Sequence, residues 1–508
     1  QQGERGFVDL INRFSELGND VQKLRGELIP GIIVNDLTRN DRVQVSEPLA
    51  PLKDLDEIPS PYLTGLMDPF LNDKYVPLLE TNRNCPYQCT FCFFGRGGSK
   101  VGKFNLDRVF GEIEYMCERT GADYLICTDT NFGMLKRDEE IAAKIYEEHL
   151  KFGFPGIMCL TWNKSRPDMV LQMARAFHGL GMVGASMQSL DPVVLDAIKR
   201  KNLTLDDTLE MNKELTAADT KLFTELICGL PKQTLESHLN DNRTMIDVHA
   251  EIYNYNLRFL PGTEINNKET RREYYLTTGW RIQEAAFGIY DGNIVIEGEE
   301  LALETTTMTQ DELRSLRMVH FFMQFMWGKK VFLDFLMFVK GLGMHPLDMV
   351  LKVVDAFKQS EGVIGNICKK FQADHDLEQF ETYEDMYEFW SRKENLHRLS
   401  SNQFGKLNAY YAYEILENIS LFVEILRDQV TQLIDSLDLE DKELTLKKSE
   451  NILSFTMERC INLRNKEIAP SKMVKFSFNI EKWRNNNYDF SMLGEKSGDY
   501  EHKFFTTK

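Results

Sequence analysis

Apolar and polar positions alternate in a repeated strand–helix pattern between residues 76 and 264. Short apolar runs predict six strands, at 76–80, 124–127, 157–160, 183–187, 222–228 and 253–260. Helix-length segments with one apolar face lie between them, for example 138–152. Strand–helix repeats with short loops predict a parallel sheet with right-handed crossovers. We therefore expect an α/β fold built on a partial, TIM-like (β/α)6 barrel.

The regions on either side of this pattern differ from it. The sequence predicts an amphipathic helix over 3–17, a hairpin around Asn35-Asp36 and a proline-punctuated linker over 54–65. Beyond residue 320 helical periodicity dominates, and the apolar stripe of 420–437 is interpreted as a packing surface. We expect the C-terminal region to be mostly helical and to shape a substrate pocket that excludes water. The predicted regions are 1–75, 76–265 and 266–508.

Composition narrows the class of protein. The chain has 508 residues, 43% hydrophobic and 27% charged, which is typical of globular proteins with more than one core. A formal net charge of −18 argues against a nucleic-acid partner, since phosphate binding needs clustered basic residues. No signal peptide is visible, and Lys329, Lys330 and Asp334 interrupt the most apolar stretch too soon for a membrane span. We expect a cytoplasmic protein and, because the chain begins at Gln1, a longer parent sequence.

Three cysteines follow the first predicted strand. Cys85, Cys89 and Cys92 have the spacing C-x3-C-x2-C, whereas the remaining cysteines are scattered singly and predict buried thiols in a reducing compartment. Four-iron clusters normally take four thiolates, so three local thiolates leave one iron open for a non-protein ligand. Structural zinc needs a fourth ligand, and the next cysteine is Cys117. The spacing predicts an iron–sulfur site, with a non-catalytic iron–sulfur or zinc-binding protein as an alternative.

With an aromatic residue, Phe91, directly before its last cysteine, this motif resembles the signature of the radical S-adenosylmethionine (SAM) superfamily. The resemblance implies a 4Fe-4S cluster on Cys85, Cys89 and Cys92, with SAM chelating the open iron. Electron transfer from the reduced cluster would cleave the sulfonium of SAM and release a 5'-deoxyadenosyl radical. The resemblance also implies an electron donor such as flavodoxin or ferredoxin.

The ends of the second and fourth predicted strands supply candidate cofactor-binding residues, because barrel enzymes place their chemistry at the carboxyl ends of strands. Asp129 and Asn131 follow strand two, where the superfamily usually has a Gly-Gly-Glu-like turn that holds the amino group of SAM. This sequence departs from that turn. Ser186 and Gln188 end strand four, where the resemblance implies contacts with the ribose.

Further candidates come from the segments around the later strands. Arg200 resembles the basic residue that reaches the methionine carboxylate, and an exposed helix end is the alternative. Gly229 and Leu260 follow strands five and six and would bring backbone close to the adenine, with plain turns as the alternative. Gly95-Arg96-Gly97-Gly98 could approach the cofactor, although a flexible loop is the favoured interpretation. No residue is assigned a catalytic role.

Segments on both sides of the barrel resemble the cobalamin (vitamin B12)-associated branch of the superfamily. They include the predicted helix at 3–17, the linker at 54–65 and the stretch 305–309, so the resemblance covers roughly residues 3–320. It implies that 1–75 continues an upstream cobalamin-binding domain. The cobalt-ligand pattern Asp-x-His-x-x-Gly is absent, since Asp247-Val248-His249 lacks the glycine.

The activity implied by this branch is cobalamin-dependent radical C-methylation. The substrate would be a small molecule or a peptide, and the sequence does not say which. Radical SAM chemistry without methyl transfer, such as cyclisation or rearrangement, is the second interpretation within the same superfamily. Detection of 5'-deoxyadenosine would separate both enzymes from a non-catalytic metal-binding protein.

Overall fold

A computed structural model describes residues 3–35, 43–95, 100–181, 183–217, 222–400, 407–464, 472–494 and 498–504. The chain divides into two compact units. The first comprises Gln1–Pro86, Ser99–Thr161 and Gln172–Gly181, and the second comprises Tyr87–Gly98, Trp162–Leu171 and Met182–Lys508. The regions predicted with boundaries at 75/76 and 265/266 stay predictions, because these units group the chain differently.

The first unit contains a parallel sheet flanked by helices. Its elements are α1 (Glu4–Glu16), α2 (Val21–Leu24), β1 (Ile33–Asn35), β2 (Val43–Val45), β3 (Leu78–Leu79), β4 (Asn82–Arg83), β5 (Gly102–Lys103), α3 (Leu106–Arg119), β6 (Tyr124–Cys127), α4 (Asp138–Phe152) and β7 (Ile157–Cys159). β3, β6 and β7 form a parallel sheet in that order, which confirms the first three predicted strands. β1 and β2 pair in an antiparallel hairpin, as predicted, although its turn at 36–42 lies outside the described residues.

Local sequence explains why α3 forms where it does. The Asn105 side chain accepts a hydrogen bond from the backbone N–H of Asp107 at 3.0 Å, which caps the helix. Val109, Ile113 and Met116 recur at helical spacing and are fully buried. A capped helix with one buried apolar face therefore forms from local sequence alone.

The second unit contains the other three predicted strands. Its elements before residue 275 are α5 (Pro167–Ala176), within which the division between the units falls, β8 (Val183–Gln188), α6 (Pro192–Ala197), α7 (Leu205–Ala217), β9 (Leu222–Cys228), α8 (Leu235–Asp247), β10 (Glu251–Asn256) and α9 (Lys268–Glu273). The three strands are parallel in the order β10-β9-β8. The described strands thus form an α/β fold with two three-stranded parallel sheets, and a single (β/α)6 barrel stays a prediction.

A long antiparallel hairpin follows these strands and was not predicted. β11 (Thr277–Tyr290) pairs with β12 (Asn293–Glu304), and the register shifts between Ile282 and Phe287. That shift breaks the period-two alternation by which a half-buried strand is recognised.

The remainder of the chain is mostly helical, as expected, but a second hairpin ends it. The elements are α10 (Gln310–Phe322), a π-helix (Met323–Gly328), α11 (Leu333–Gly341), α12 (Pro346–Gln359), α13 (Gly362–Asp376), α14 (Tyr383–Ser391), α15 (Lys393–Ser400), α16 (Leu407–Glu417), α17 (Ile419–Ser436), α18 (Lys442–Arg464), β13 (Lys472–Phe476), α19 (Ile480–Asn485) and β14 (Tyr500–Phe504). β13 and β14 pair in an antiparallel arrangement.

The most apolar stretch of the sequence forms the core of these helices. Phe322 packs its ring on Phe357 of α12 and Phe422 of α17, with centroids 5.0 and 5.7 Å apart. All three side chains are fully buried, so the interpretation of 420–437 as a packing surface is confirmed. Within the described ranges, each helix is too short or too polar to pass through a lipid bilayer.

Candidate functional site

Backbone hydrogen bonds hold the second half of the cysteine loop inside the second unit. The N–H of Thr90 donates to the carbonyl of Ile198 at 3.1 Å, and the N–H of Ile265 donates to the carbonyl of Thr90 at 3.0 Å. The N–H of Cys92 donates to the carbonyl of Cys89 at 3.1 Å, which closes a tight turn between the two cysteines. The positions of Cys89 and Cys92 are therefore fixed by the end of the helix Pro192–Ala197 and by the segment around Ile265.

The three motif cysteines are free thiols. Cys85 and Cys89 are buried, and Cys92 is half-buried. The division between the units falls after Pro86, so Cys85 belongs to the first unit and the other two to the second. Among the described residues, no three His, Cys, Asp or Glu side chains form a group that could hold a metal ion. The cluster-ligand assignment therefore stays a prediction.

In the first unit, Cys85 lies beside the amide of Asn131. The Nδ2 of Asn131 donates to the Sγ of Cys85 at 3.2 Å and to the Oγ1 of Thr130 at 3.1 Å. Asn131 is fully buried, and its Oδ1 has no hydrogen-bond partner in the described chain. A buried acceptor without a partner is costly, so this oxygen offers a position for a donor on a bound molecule.

Asp129 lies in the same unit, and its carboxylate is already saturated. Its Oδ1 accepts from the backbone N–H groups of Thr81 and Asn82 at 2.8 and 3.1 Å. Its Oδ2 accepts from the Asn82 amide at 2.6 Å and from the Thr81 hydroxyl. Burial raises the pKa of Asp129 to about 6, against the opposing effect of these hydrogen bonds. The geometry thus connects Asp129 to the turn that precedes Cys85.

Arg200 lies beside Cys89 in the second unit. It is only 6% exposed, which excludes the alternative of a solvated helix end. Its Nη1 is 3.8 Å from the Sγ of Cys89, its Nη2 donates to the carbonyl of Ser186, and its Nε donates to Asn202 at 2.8 Å. Burial lowers the pKa of Arg200, while Cys89 and Cys92 oppose that effect. No carboxylate in the described residues lies within ion-pair distance of this guanidinium, although Glu225 also opposes the lowering of its pKa.

The strand-four candidates are also in the second unit. The Ser186 hydroxyl donates to the Oε2 of Glu225 at 2.6 Å. Gln188 is buried, and its backbone has a φ of 66°, a left-handed conformation that is uncommon for a residue with a Cβ. Such strain at the carboxyl end of a strand is typical of binding sites, but the structure gives Gln188 no ligand-specific contact.

The remaining candidates are explained largely by packing and turns. Gly229 has a φ of +83°, and a Cβ there would approach the Cβ of Ala302 to 3.2 Å, so local structure alone requires glycine. Leu260 is 43% exposed, and its carbonyl accepts from the hydroxyl of Thr263 at 2.8 Å, as in a plain turn. Phe91 packs against the buried core of the second unit. Arg96, Gly97 and Gly98 lie outside the described residues.

A polar cavity of about 620 Å³ lies within the second unit. Its wall combines β10 (252–256), the β11–β12 hairpin (281–283 and Glu299), α10 and 407–409 of α16. Of its charged residues, Arg281, Glu299 and Arg317 lie in segments that resemble the cobalamin-associated branch, although the sequence gives them no role in a common site. The others come from separate segments and carry no local motif, so tertiary structure alone brings them together.

Comparison with known proteins adds independent information. Residues 79–241 match the family model of the radical SAM superfamily. Over 297 residues the chain is 32% identical to the cobalamin-dependent radical SAM methyltransferase TokK of Streptomyces tokunonensis. This alignment covers 56% of this chain and 43% of TokK. Over 324 residues it is 31% identical to the 2-(S-pantetheinyl)-carbapenam-3-carboxylate methyltransferase of Streptantibioticus cattleyicolor, covering 61% of this chain and 46% of that protein.

Solved structures show a weaker likeness. The radical SAM methyltransferase TsrM from Kitasatospora setae, solved with tryptophan and a SAM analogue, matches with a TM-score of 0.41 and 16% identity, over 59% of this chain and 62% of TsrM. The chain spans less than half the length of the two curated relatives above.

Proposed function

We propose that the chain is the radical SAM part of a cobalamin-dependent methyltransferase, because residues 79–241 match the family model of the radical SAM superfamily. The observation that carries the proposal is the C-x3-C-x2-C loop inside the matched region, with Asn131 beside Cys85 and Arg200 beside Cys89. The names of the two relatives above 30% identity support methyl transfer assisted by cobalamin.

The residues around the loop fit an anionic cluster with a polar cofactor. The three free thiols can supply thiolate ligands. The amide of Asn131 and the buried guanidinium of Arg200 are groups that stabilise thiolates and the negative charge of an iron–sulfur cluster. The buried Oγ1 of Thr90, like the Oδ1 of Asn131, has no hydrogen-bond partner within the described ranges. When bound, the cluster and SAM would supply one-electron cleavage of the sulfonium, and cobalamin would supply the methyl group.

The proposal gives each candidate residue a role. Cys85, Cys89 and Cys92 hold the cluster, and the free acceptor of Asn131 receives an N–H of SAM. Arg200 balances the negative charge beside Cys89. Asp129 is reassigned from binding SAM to positioning the loop before Cys85, because its oxygens are saturated by Thr81 and Asn82.

The partial (β/α)6 barrel is part of the same proposal. Its support is that all six expected strands exist, that they are parallel within each sheet, and that each sheet follows chain order. The proposal also includes an electron donor such as flavodoxin or ferredoxin, a small-molecule substrate and a cytoplasmic location.

Anaerobic reconstitution tests this function. The chain is reconstituted with iron and sulfide, reduced with dithionite in the presence of SAM, and assayed by chromatography for 5'-deoxyadenosine. We expect about four irons per chain and cleavage of SAM. Cys89→Ala should lose both, whereas Cys368→Ala, which removes a buried thiol of α13 outside the loop, should keep both.

The same preparation separates the alternatives. Binding of zinc without iron, or iron without any cleavage, would overturn the proposal in favour of a non-catalytic metal-binding protein. Cobalamin is tested on a longer form that includes the upstream domain expected from the resemblance, by adding hydroxocobalamin during reconstitution and measuring its retention after gel filtration. Cleavage of SAM without retained cobalamin would favour radical chemistry that transfers no methyl group.

A further inference from the structure

The polar cavity of the second unit contains more positive than negative charge. The carboxylate of Glu299 is shared by two guanidinium groups: its Oε2 is 3.0 Å from the Nε of Arg258, and its Oε1 is 2.6 Å from Arg281. One carboxylate therefore neutralises only one of these two cations. The side chain of Arg281 is 23% exposed, so it faces the cavity rather than bulk solvent.

A third guanidinium in the wall, Arg317 of α10, has a neutral partner. Its Nη1 donates to the Oδ1 of Asn408 at 2.6 Å. The Nδ2 of Asn408 donates in turn to the Oε1 of Gln324 at 2.7 Å, which fixes the amide and holds the guanidinium in place. Arg317 makes no ion pair with a carboxylate in the described part of the chain. Arg317 is thus a cation held in a fixed position, and its guanidinium has further N–H donors for a bound molecule.

The other titratable groups of the wall do not cancel this excess. Glu378 is the second carboxylate, and burial raises its pKa, although Arg317 and Arg281 oppose that effect. Its Oε2 has no hydrogen-bond partner among the described residues. His320 of the wall is neutral at pH 7, because burial holds its pKa well below the ordinary value. Even with Glu378 ionised, two carboxylates face three guanidinium groups.

The shape of the cavity suits a small organic molecule. Its volume of about 620 Å³ lies within the range of about 300–1,000 Å³ typical of small-molecule sites. Asn254, Asn256 and Gln283 add neutral polar groups to the wall, and the Oδ1 of Asn254 is buried without a partner in the described residues. Guanidinium forks match the planar oxygens of carboxylates and phosphates in a bidentate manner.

We propose that this cavity binds the substrate through an anionic group, of the carboxylate or phosphate-ester type, received by Arg317 and Arg281. This inference rests on the proposed function only in calling the occupant a substrate. The binding of the anion follows from the charges and hydrogen bonds of the wall. A formal net charge of −18 repels anions from the surface as a whole, so anion binding by this chain would have to be local.

A matched pair of fluorescent probes tests the proposal on the full chain. Dansylglycine carries a carboxylate, and dansylamide is the corresponding neutral molecule. By fluorescence titration we expect dansylglycine to bind about tenfold or more tightly than dansylamide, a preference that added salt reduces. Arg317→Gln and Arg281→Gln should each abolish the preference. Arg314→Gln should retain it, since Arg314 lies on the same helix but pairs with Asp376 instead of lining the cavity.

Competition identifies the anion. Displacement of dansylglycine by acetate at constant ionic strength would assign the site to carboxylates, and preferential displacement by inorganic phosphate would assign it to phosphate esters. Equal affinity for the two dansyl probes, binding of neither, or an unchanged preference in Arg281→Gln would overturn the proposal. The side chain of Arg281 is 23% exposed and lies on the β11–β12 hairpin, apart from the helix that carries Arg317, so its variant remains informative if Arg317→Gln does not fold.

The binding assay is independent of the proposed function. It needs neither iron nor SAM, so a chain that prefers the carboxylate probe but forms no 5'-deoxyadenosine would retain the anion site and refute only the radical chemistry. A chain that cleaves SAM but shows no preference between the probes would refute only the anion site.

Discussion

Each unit contains one buried charged residue among the candidate site residues, Asp129 in the first and Arg200 in the second, and the two are stabilised in opposite ways. Asp129 receives four hydrogen bonds from Thr81 and Asn82, so its charge is satisfied by its own chain. Arg200 has only neutral oxygen partners and the sulfur of Cys89. A saturated anion is a structural group, whereas a buried cation without a carboxylate is costly unless another anion accompanies it.

This difference predicts that Asp129 contributes to folding and that Arg200 contributes to cofactor binding. Replacing Asp129 should affect the chain whether or not a cofactor is present. Replacing Arg200 should affect chiefly the state in which thiolates or a cluster carry negative charge next to it. The following variants test that distinction, starting with the largest expected effect.

Arg200→Met should abolish retention of the cluster while leaving the fold intact. Removal of the cation should reduce bound iron from about four per chain to below about one, and formation of 5'-deoxyadenosine about 100-fold, because thiolate charge loses its partner. In the cluster-free chain the free energy of unfolding should change by less than about 2 kcal/mol, since the loss of the hydrogen bonds to Ser186, Asn202 and Cys89 is offset by removal of a buried charge. Iron analysis and urea denaturation measure the two effects.

Arg200→Lys is the matched control for this variant. Lysine keeps the positive charge but lacks the planar set of N–H donors of a guanidinium, so we expect an iron content between those of wild type and Arg200→Met. Full iron content and full cleavage in Arg200→Met would contradict the role of the charge. A large loss of stability in the cluster-free chain would instead make Arg200 a structural residue like Asp129.

Asp129→Asn should act on the cluster-free chain. At pH 5 the protonated carboxyl has a single O–H, which can donate to the Thr81 hydroxyl, whereas an asparagine NH2 group would direct a second N–H at the donors around it. We therefore expect Asp129→Asn to lower the free energy of unfolding by about 2 kcal/mol at pH 5. The pKa of about 6 lies above the ordinary value of 3.8, so folded Asp129 keeps a proton that the unfolded chain releases. Its contribution to stability is complete below that ordinary value and is lost as pH rises through the folded pKa.

The difference in free energy of unfolding between wild type and Asp129→Asn should therefore decrease by roughly 1.4 kcal/mol between pH 5 and pH 7, the equivalent of one pKa unit. Urea denaturation of wild type and variant at both pH values measures the change. A deficit that grows with pH would show that the hydrogen bonds outweigh burial and that the folded pKa is lowered instead.

The sequence predicts the cysteine site from local information alone. The three cysteines lie within eight residues, and alternation of apolar positions located the six strands. The role of Asp129 was not predictable, since its donors Thr81 and Asn82 lie almost fifty residues earlier in the chain. It was assigned to SAM from its place at a strand end, which gives its position but not its hydrogen-bond partners.

The cavity was also not predictable from the sequence, because its lining residues are far apart along the chain. Arg281, Glu299 and Arg317 come from a hairpin and a helix, and no local pattern in the sequence predicts that their charges meet. The hairpin itself was missed because its register shift interrupts the alternation of apolar and polar positions. Local patterns thus predicted elements and the cysteine loop, whereas charge pairing across elements required the structure.

The smallest expected effect belongs to Asn131→Leu, which removes the amide donor to Cys85 while keeping a similar volume. The reconstituted chain should retain about four irons, because all three thiolates remain. Its cluster should have a more negative reduction potential, since fewer hydrogen bonds to sulfur stabilise the reduced state less, and formation of 5'-deoxyadenosine should slow about tenfold. A redox titration followed by electron paramagnetic resonance measures the potential.

Thr130→Val, which leaves the hydrogen bond from Asn131 to Cys85 in place, is the matched control and should keep the wild-type potential. An unchanged potential in Asn131→Leu would show that this amide does not act on the cluster, and loss of iron would place Asn131 with Arg200 among the groups required to hold it.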